Sequence, residues 1–334
     1  ESSRKMKLTG AHVAAARELL RLSQGELAKI AGIGRATLAR FHTAKPAKSR
    51  ARAMAQREAR GEPPSISSQP AALTVTAGST AIFAAAINGT ANFYTQPELV
   101  LEVGMLGALA VVNAGRNAGV PDLVVASTAE VYQTPSIIPT PETIPLMLPD
   151  SLNPRYSYGG GKIASELIAF NYGQEHYRQV QIFRPHNIYG PNMGWKHVEP
   201  QFILRALGCQ ERGDAVFPIQ GDGTETRSFC YVDDCVDGIL TMYEKGGHRE
   251  IYHVGSDVEM SIRELANRIG AIVGVELDVQ PGESPAGQTK RRCPDITKMG
   301  TLGWSPKVAL DDGLARTVAW YREHRNDVPA NDLM

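Results

Sequence analysis

Tyr158 and Lys162 stand four residues apart in the stretch Tyr156-Ser157-Tyr158-Gly159-Gly160-Gly161-Lys162-Ile163-Ala164-Ser165-Glu166-Leu167. On a helix they share a face, one above the other. A phenol beside an ammonium is a proton-transfer pair, because the positive charge favours phenolate over a phenol that otherwise titrates near ~10. A general base works best when it titrates close to the operating pH. The same spacing also arises from a buried tyrosine and a surface lysine that meet by chance, so the elements around the pair must decide.

Those elements alternate. Ile82-Phe83-Ala84-Ala85-Ala86 is a short apolar run that fits a buried parallel strand. A helix over about Leu99–Asn117 leads to the strand Leu123-Val124-Val125-Ala126-Ser127-Thr128. The Tyr158 helix follows, then the strand Val180-Gln181-Ile182-Phe183. Strand-helix alternation predicts a parallel, doubly wound sheet with its site at the carboxyl ends of the strands. Thr128 and Glu130 lie just past one such end.

The chain has 334 residues, and its 35 basic and 35 acidic side chains balance overall. They are unevenly placed: residues 1–60 hold 14 Lys+Arg against 4 Asp+Glu, which marks a basic head with its own origin or partner. The cysteines, Cys209, Cys230, Cys235 and Cys293, form no Cys-x-x-Cys pair and read as reduced thiols of a cytoplasmic protein. No histidine has metal-ligand spacing, so His197 and His253 read as structural. The run Leu99–Val112 is interrupted by Glu102 and reads as a buried helix, too short for a bilayer. No signal peptide and no membrane association are expected.

Within the head, Leu22-Ser23-Gln24-Gly25-Glu26-Leu27-Ala28-Lys29-Ile30-Ala31-Gly32-Ile33 and Thr37-Leu38-Ala39-Arg40-Phe41 resemble the Cro/repressor-type helix-turn-helix family. The resemblance places Arg35, Ala36 and Thr37 near base edges. The helices that usually close such a domain give way to Lys45-Pro46-Ala47-Lys48-Ser49-Arg50, a solvated composition. A helix-turn-helix shape is therefore expected, but not sequence-specific DNA binding. The stretch 61–80 reads as a linker, opened by Gly61-Glu62-Pro63-Pro64-Ser65.

Further on, Ala126-Ser127-Thr128-Ala129-Glu130-Val131-Tyr132, then Tyr158 to Lys162, then Arg184-Pro185-His186-Asn187-Ile188-Tyr189-Gly190-Pro191 resemble the extended short-chain dehydrogenase/reductase family. Its members are NAD-dependent epimerases and dehydratases of nucleotide sugars. Gly221 to Phe229, Tyr231-Val232-Asp233-Asp234, His253-Val254-Gly255-Ser256 and Leu302-Gly303-Trp304-Ser305-Pro306 continue the likeness in the family's order over about residues 81–325. The resemblance implies an α/β fold: an incomplete Rossmann-like, NAD-binding sheet over 81–190, interwoven with a smaller substrate domain over 191–330. It implies roles too. Tyr158 takes the proton of a sugar hydroxyl, Lys162 binds the nicotinamide ribose and holds the Tyr158 pKa down, and Thr128 aligns the sugar oxygen. Pro185, His186 and Asn187 line the nicotinamide and the sugar. Arg227 and Arg292 clamp the diphosphate or the nucleotide, as a guanidinium fork suits phosphate oxygens. A homodimer through the helices at about Leu99–Asn117 and Tyr158–Tyr172 is implied as well.

The reaction is read at Thr128-Ala129-Glu130. Dehydratases resemble Thr-Asp-Glu there, and decarboxylases Thr-Ser-Glu. The segments around Trp195-Lys196, Thr226 to Phe229 and Gly255-Ser256-Asp257 look most like GDP-mannose 3,5-epimerase, with Glu130 in place of that enzyme's acid/base cysteine. Epimerisation is the reading, with decarboxylation close behind. The substrate would be a UDP-, GDP- or dTDP-linked sugar. One departure stands out. The family opens with a Gly-x-x-Gly-x-x-Gly turn that receives the cofactor pyrophosphate at a helix N-terminus, and no such motif is found. The expectation is a weakened NAD site, or else a non-catalytic body that senses a sugar nucleotide behind a DNA-binding head.

Overall fold

The computed structural model describes residues 81–83, 90–284 and 289–328. The readings of residues 1–80, helix-turn-helix and linker alike, lie outside the described residues.

The main sheet has four parallel strands: β1 (Ala81–Phe83), β2 (Asp122–Ala126), β3 (Gln179–Pro185) and, at the far edge, β8 (Glu250–Val254), in the order β1-β2-β3-β8. All five β2 residues are buried, as expected for a strand covered on both faces. Alternation assigns its side chains. Val124 and Ala126 join Phe183, Tyr252, Met242 and Trp304 on one face. Leu123 and Val125 join Val112, Ala169, Val180 and Ile182 on the other. The first face packs on α6 (Val232–Lys245) and the second on α3 (Ala108–Asn117) and α4 (Ser157–Gly173). Helices on both faces of a parallel sheet are the doubly wound arrangement.

The predicted Leu99–Asn117 helix is built in pieces: α2 (Pro97–Glu102), a π turn (Val103–Gly107) and α3, preceded by the short α1 (Thr90–Thr95). The pieces run on without a break, so Pro97–Asn117 makes 21 helical residues, by length and composition enough to cross a membrane. This corrects the expectation of a run too short for that. The helix packs along α4, burying Val100, Gly104, Ala108, Val111 and Val112, while Leu101, Met105 and Leu106 stay exposed. At the crossing, a Cβ on Gly104 would stand 3.2 Å from the Gly161 Cα. Two backbones meet there with no side chain between them, and the Ser165 hydroxyl donates to the Gly104 carbonyl at 2.7 Å across the contact.

Beyond β3 the chain builds a second core. α5 (Val198–Arg212), α7 (Ile262–Val273) and α8 (Leu310–Glu323) enclose Phe202, Ile203, Phe217, Leu265, Ile269, Leu314 and Tyr321. Ser261 caps α7 by accepting from the Glu264 amide at 3.1 Å, and Gly274 ends it at φ 92°, the pattern expected of a capped helix with a left-handed stop. Three small sheets complete this part. β4 (Ile188–Tyr189) pairs with β7 (Cys230–Tyr231), and β5 (Val216–Pro218) pairs with β10 (Asp278–Gln280). β6 (Thr226–Ser228) lies between β9 (Glu259–Ser261) and β11 (Arg291–Arg292). All four cysteines are buried and unbridged.

Candidate active site

Thr128 sits two residues past Ala126, where β2 ends, in extended backbone. Its hydroxyl accepts from the Glu130 amide at 3.2 Å and so starts the tight turn Ala129–Val131. Opposite, Asn153 caps the turn Pro154–Tyr156, and α4 begins at Ser157. The glycines after Tyr158 are weak helix formers, but space demands the first of them. A Cβ on Gly159 would lie 3.0 Å from the Glu130 carbonyl oxygen and 2.6 Å from the Gln133 amide nitrogen, and Gly161 faces Gly104. With no side chains in the way, the Tyr158 end of α4 settles against the Thr128–Glu130 turn.

The Tyr158 hydroxyl pairs with the Thr128 side chain, and the Phe93 ring of α1 lies flat on the Tyr158 ring at 5.0 Å and 7°. Burial pushes the phenol up to about 12; Glu130 adds to the rise, while the Thr128 hydrogen bond and Arg292 oppose it. Lys162 is buried, and its ammonium donates to the Ala126 carbonyl at 3.0 Å, 6.0 Å from the Tyr158 ring centre. Burial brings Lys162 down to about 8, against the charge of Glu166. Here the structure corrects the sequence reading. Lys162 does not hold the Tyr158 pKa down, because desolvation of the phenol outweighs the cations near it and the ammonium is turned towards the end of β2.

Glu130 meets Arg292 at 2.8 Å. Burial alone would raise its carboxyl, but the charges of Arg292, Arg155 and Arg227 and the Arg292 hydrogen bond overcome that and hold it below its ordinary value. Glu130 is therefore a carboxylate at neutral pH, able to accept a proton and poorly suited to donate one. Arg227 and Arg292 are in direct register, because β6 and β11 pair in parallel at those residues. Arg227 donates to the carbonyls of Thr226 at 2.7 Å and Thr289 at 2.8 Å. Carbonyls satisfy its N–H groups but leave its charge. Burial and the charge of Arg292 draw Arg227 down to about 10, with Glu130 and Glu225 opposing. Three guanidinium groups thus gather around Glu130, and the buried Nε atoms of Arg155 and Arg292 have no hydrogen-bond partner.

Asn187 follows β3 with φ 39°, and its amide donates to the Ser228 carbonyl at 2.8 Å. Pro185 ends β3, so Pro185, His186 and Asn187 lie at the same sheet edge as Thr128. His186 is buried with neither ring nitrogen partnered, and burial, then His253, Arg292 and Arg184, keep it neutral. The residues expected to line a nicotinamide thus converge on the sheet edge beside Tyr158 and Lys162, and they include orphaned polar atoms that such a ring could engage. This part of the site fits NAD. Among the described residues no group of His, Cys, Asp or Glu could hold a metal ion.

Sequence reasoning missed three participants. Phe93 gave no signal. Arg155, three residues before Tyr158, was not singled out although the spacing puts it next to the pair. Glu166, four residues after Lys162, shares its helix face, a spacing that any surface pair also shows.

A family model described as "NAD dependent epimerase/dehydratase family" matches residues 34–255, reaching upstream of Ala126 to Tyr132, where the likeness to the family first becomes specific. The chain is 33% identical to UDP-glucuronic acid decarboxylase 3 of Arabidopsis thaliana over 70% of this chain and 67% of that protein. It is 34% identical to UDP-glucuronic acid decarboxylase 5 of the same plant, over 65% of this chain but only 62% of the relative. It is 32% identical to UDP-glucose 4-epimerase of Mycolicibacterium smegmatis, over 68% of this chain and 70% of that one. Among solved structures, it is similar to a UDP-glucose 4-epimerase of Thermotoga maritima with UDP-glucose, at TM-score 0.65 and 27% identity over 73% and 77% of the two chains. It is likewise similar to a dTDP-glucose 4,6-dehydratase of Streptomyces venezuelae with NAD bound, at TM-score 0.65 and 29% identity over 74% of each.

Proposed function

We propose that this chain, which belongs to the NAD-dependent epimerase/dehydratase family, epimerises a nucleotide-linked sugar through transient oxidation of one sugar carbon. The observation that carries this reading is the Tyr158–Thr128 pair at the carboxyl end of β2, with Lys162 beneath it and Glu130 beside it. NAD, when bound, supplies the acceptor and later the donor of the hydride. The chain's own residues handle protons and orientation. Thr128 aligns the reacting hydroxyl and Tyr158 exchanges its proton. In the structure Tyr158 is a phenol at neutral pH, so this role requires a cation brought against it. Lys162, already near the working pH, is the group in place to supply one. Glu130, ionised by its arginines, is set to take a proton from the carbon next to a transient ketone.

A second reading has its own support. Three guanidinium groups, Arg292, Arg155 and Arg227, all bear on Glu130, an environment that suits a sugar that carries a carboxylate. Several relatives are named UDP-glucuronic acid decarboxylases. In that case the carboxylate leaves as carbon dioxide once its β-carbon is a ketone. The electron pair of the broken bond passes into the enolate, which is then protonated.

One experiment separates the two. The protein is incubated in heavy water with NAD and, in turn, UDP-glucuronate, UDP-glucose and GDP-mannose, and followed by NMR. Deuterium entering a sugar carbon without loss of carbon supports epimerisation. A pentose product supports decarboxylation, and Tyr158→Phe should abolish either. No exchange with any sugar, together with no binding of NADH, overturns the enzymatic reading. A homodimer also belongs to this reading, since Leu101, Met105 and Leu106 on the α2–α3 helix and Leu167 and Tyr172 on α4 expose apolar surface.

A further inference from the structure

A buried lysine must be stabilised by something, and the groups around Lys162 form a connected set. Glu166 lies one helical turn further along α4, 4% exposed. Its carboxylate accepts from the Ser127 hydroxyl at the end of β2. It also holds Arg184 of β3 through two bonds, Nε at 2.8 Å and the terminal nitrogen at 2.6 Å. Arg184 donates in turn to the Tyr132 hydroxyl and, at 3.2 Å, to the Glu142 carbonyl. Tyr132 meets His253 Nε2 of β8 at 2.6 Å, and His253 Nδ1 lies 3.0 Å from the Asp295 carbonyl. Two of these ties join segments that carry site residues. Ser127 lies between Ala126, which accepts from Lys162, and Thr128, which pairs with Tyr158. Arg184 lies directly before Pro185, His186 and Asn187.

We propose that Glu166 is a positioning residue that keeps the Lys162 ammonium charged and, through Ser127 and Arg184, fixes the ends of β2 and β3 to the catalytic helix in one geometry. The proposal rests on the reading of Tyr158 and Lys162 as the proton-handling pair. The groups around Glu166 differ in kind. Arg184 from β3 and Ser127, directly after β2, hold it by direct hydrogen bonds, while Lys162 feels its charge from the same face of α4. Arg184 therefore fixes the carboxylate in place, and Lys162 is left to benefit from its field. Distances of one helical turn in a buried setting make such a field strong.

The test reads Lys162 directly and needs no turnover. Full-length protein labelled with carbon-13 at lysine Cε is titrated by NMR, and the Lys162 signal is identified by its absence in Lys162→Met. Glu166→Gln should displace the Lys162 titration downward by about one pH unit or more. Glu166→Asp, which retains the charge, should return most of that displacement. A Lys162 titration unchanged in Glu166→Gln, or displaced equally in the Gln and Asp variants, overturns the proposal. Because Glu166→Gln leaves Arg184 with a weakened partner, the double variant Glu166→Gln/Arg184→Gln provides a second background free of that buried charge. The same downward displacement is expected there, and its absence counts against the proposal. If the nucleotide-sugar reading fails, it fails in the exchange experiment while this titration still responds, so the two outcomes are separable.

Discussion

Replacing Arg292 by methionine removes the guanidinium that meets Glu130 at 2.8 Å while keeping an apolar stem of similar length. Breaking a buried ion pair from one side costs about 3–5 kcal/mol. Here the two side chains are 11% and 22% exposed, and Arg155 and Arg227 still face the carboxylate, so about 2 kcal/mol at pH 7 is expected. For a domain of this size that corresponds to a fall of about 4–8 °C in Tm. The pH dependence carries the reasoning. In the native protein Glu130 is held below its ordinary value of 4.5, so it stabilises the fold above that value and ceases to do so as pH falls through its folded pKa. In Arg292→Met burial, the largest influence, is opposed by less, and the carboxyl rises. The deficit of the variant should therefore be full at pH 7 and shrink on acidification, vanishing only as the pH falls through the lowered folded pKa of the native Glu130, below which the carboxyl is neutral in both proteins. Urea unfolding of both proteins from pH 3.5 to 8 measures it. A deficit constant across that range would show that Arg292 acts by packing alone and would refute the account of Glu130 as a held carboxylate.

Three further outcomes are expected. His253, fully buried, is brought down to about 3 by burial, so it stays neutral in the fold while the unfolded chain takes up a proton near 6.5; its contribution to stability should be flat above that pH and fall towards pH 3 by about 1.4 kcal/mol per unit, so that the difference between the native protein and His253→Gln in urea titrations carries that slope. Gly104→Ala places a Cβ 3.2 Å from the Gly161 Cα, where neither backbone can yield, whereas a Cβ on Gly107 in the same π turn meets nothing within 4 Å; the first substitution should cost about 1–3 kcal/mol and the second should be neutral or stabilising, by thermal unfolding. Leu106→Glu puts a charge on a side chain that is 60% exposed and should convert a dimer to monomer in light scattering, while an unchanged mass would discount the α2–α3 face as the contact.

Much of this was legible in the chain, for identifiable reasons. The strand Leu123 to Thr128 and the helix from Tyr158 announced themselves by apolar runs and spacing, which are local signals. Thr128 and Glu130 were placed correctly because the end of a parallel strand is where such a fold collects its chemistry. The protonation of Tyr158 was misjudged because spacing shows that Lys162 is near but neither the burial of the phenol nor the direction of the ammonium. The ring of ties from Ser127 through Glu166 and Arg184 to His253 escaped notice because its members are far apart in sequence, and a glutamate at helical spacing from a lysine resembles any surface pair. The arginines were singled out for a diphosphate or the nucleotide; that Arg292 also meets Glu130, with Arg227 beside it, is a pairing that only the register of β6 and β11 reveals.

The three glycines after Tyr158 leave the first turn of α4 with little helicity of its own, at about 1 kcal/mol per residue relative to alanine. That turn is shaped from outside, by the Glu130 carbonyl on one side and the Gly104 backbone on the other. The reactive tyrosine is thus placed by surfaces that belong to other elements, and its position is borrowed from them. Sequence change at Gly104, more than fifty residues upstream and outside the chemistry, is in effect change at Tyr158.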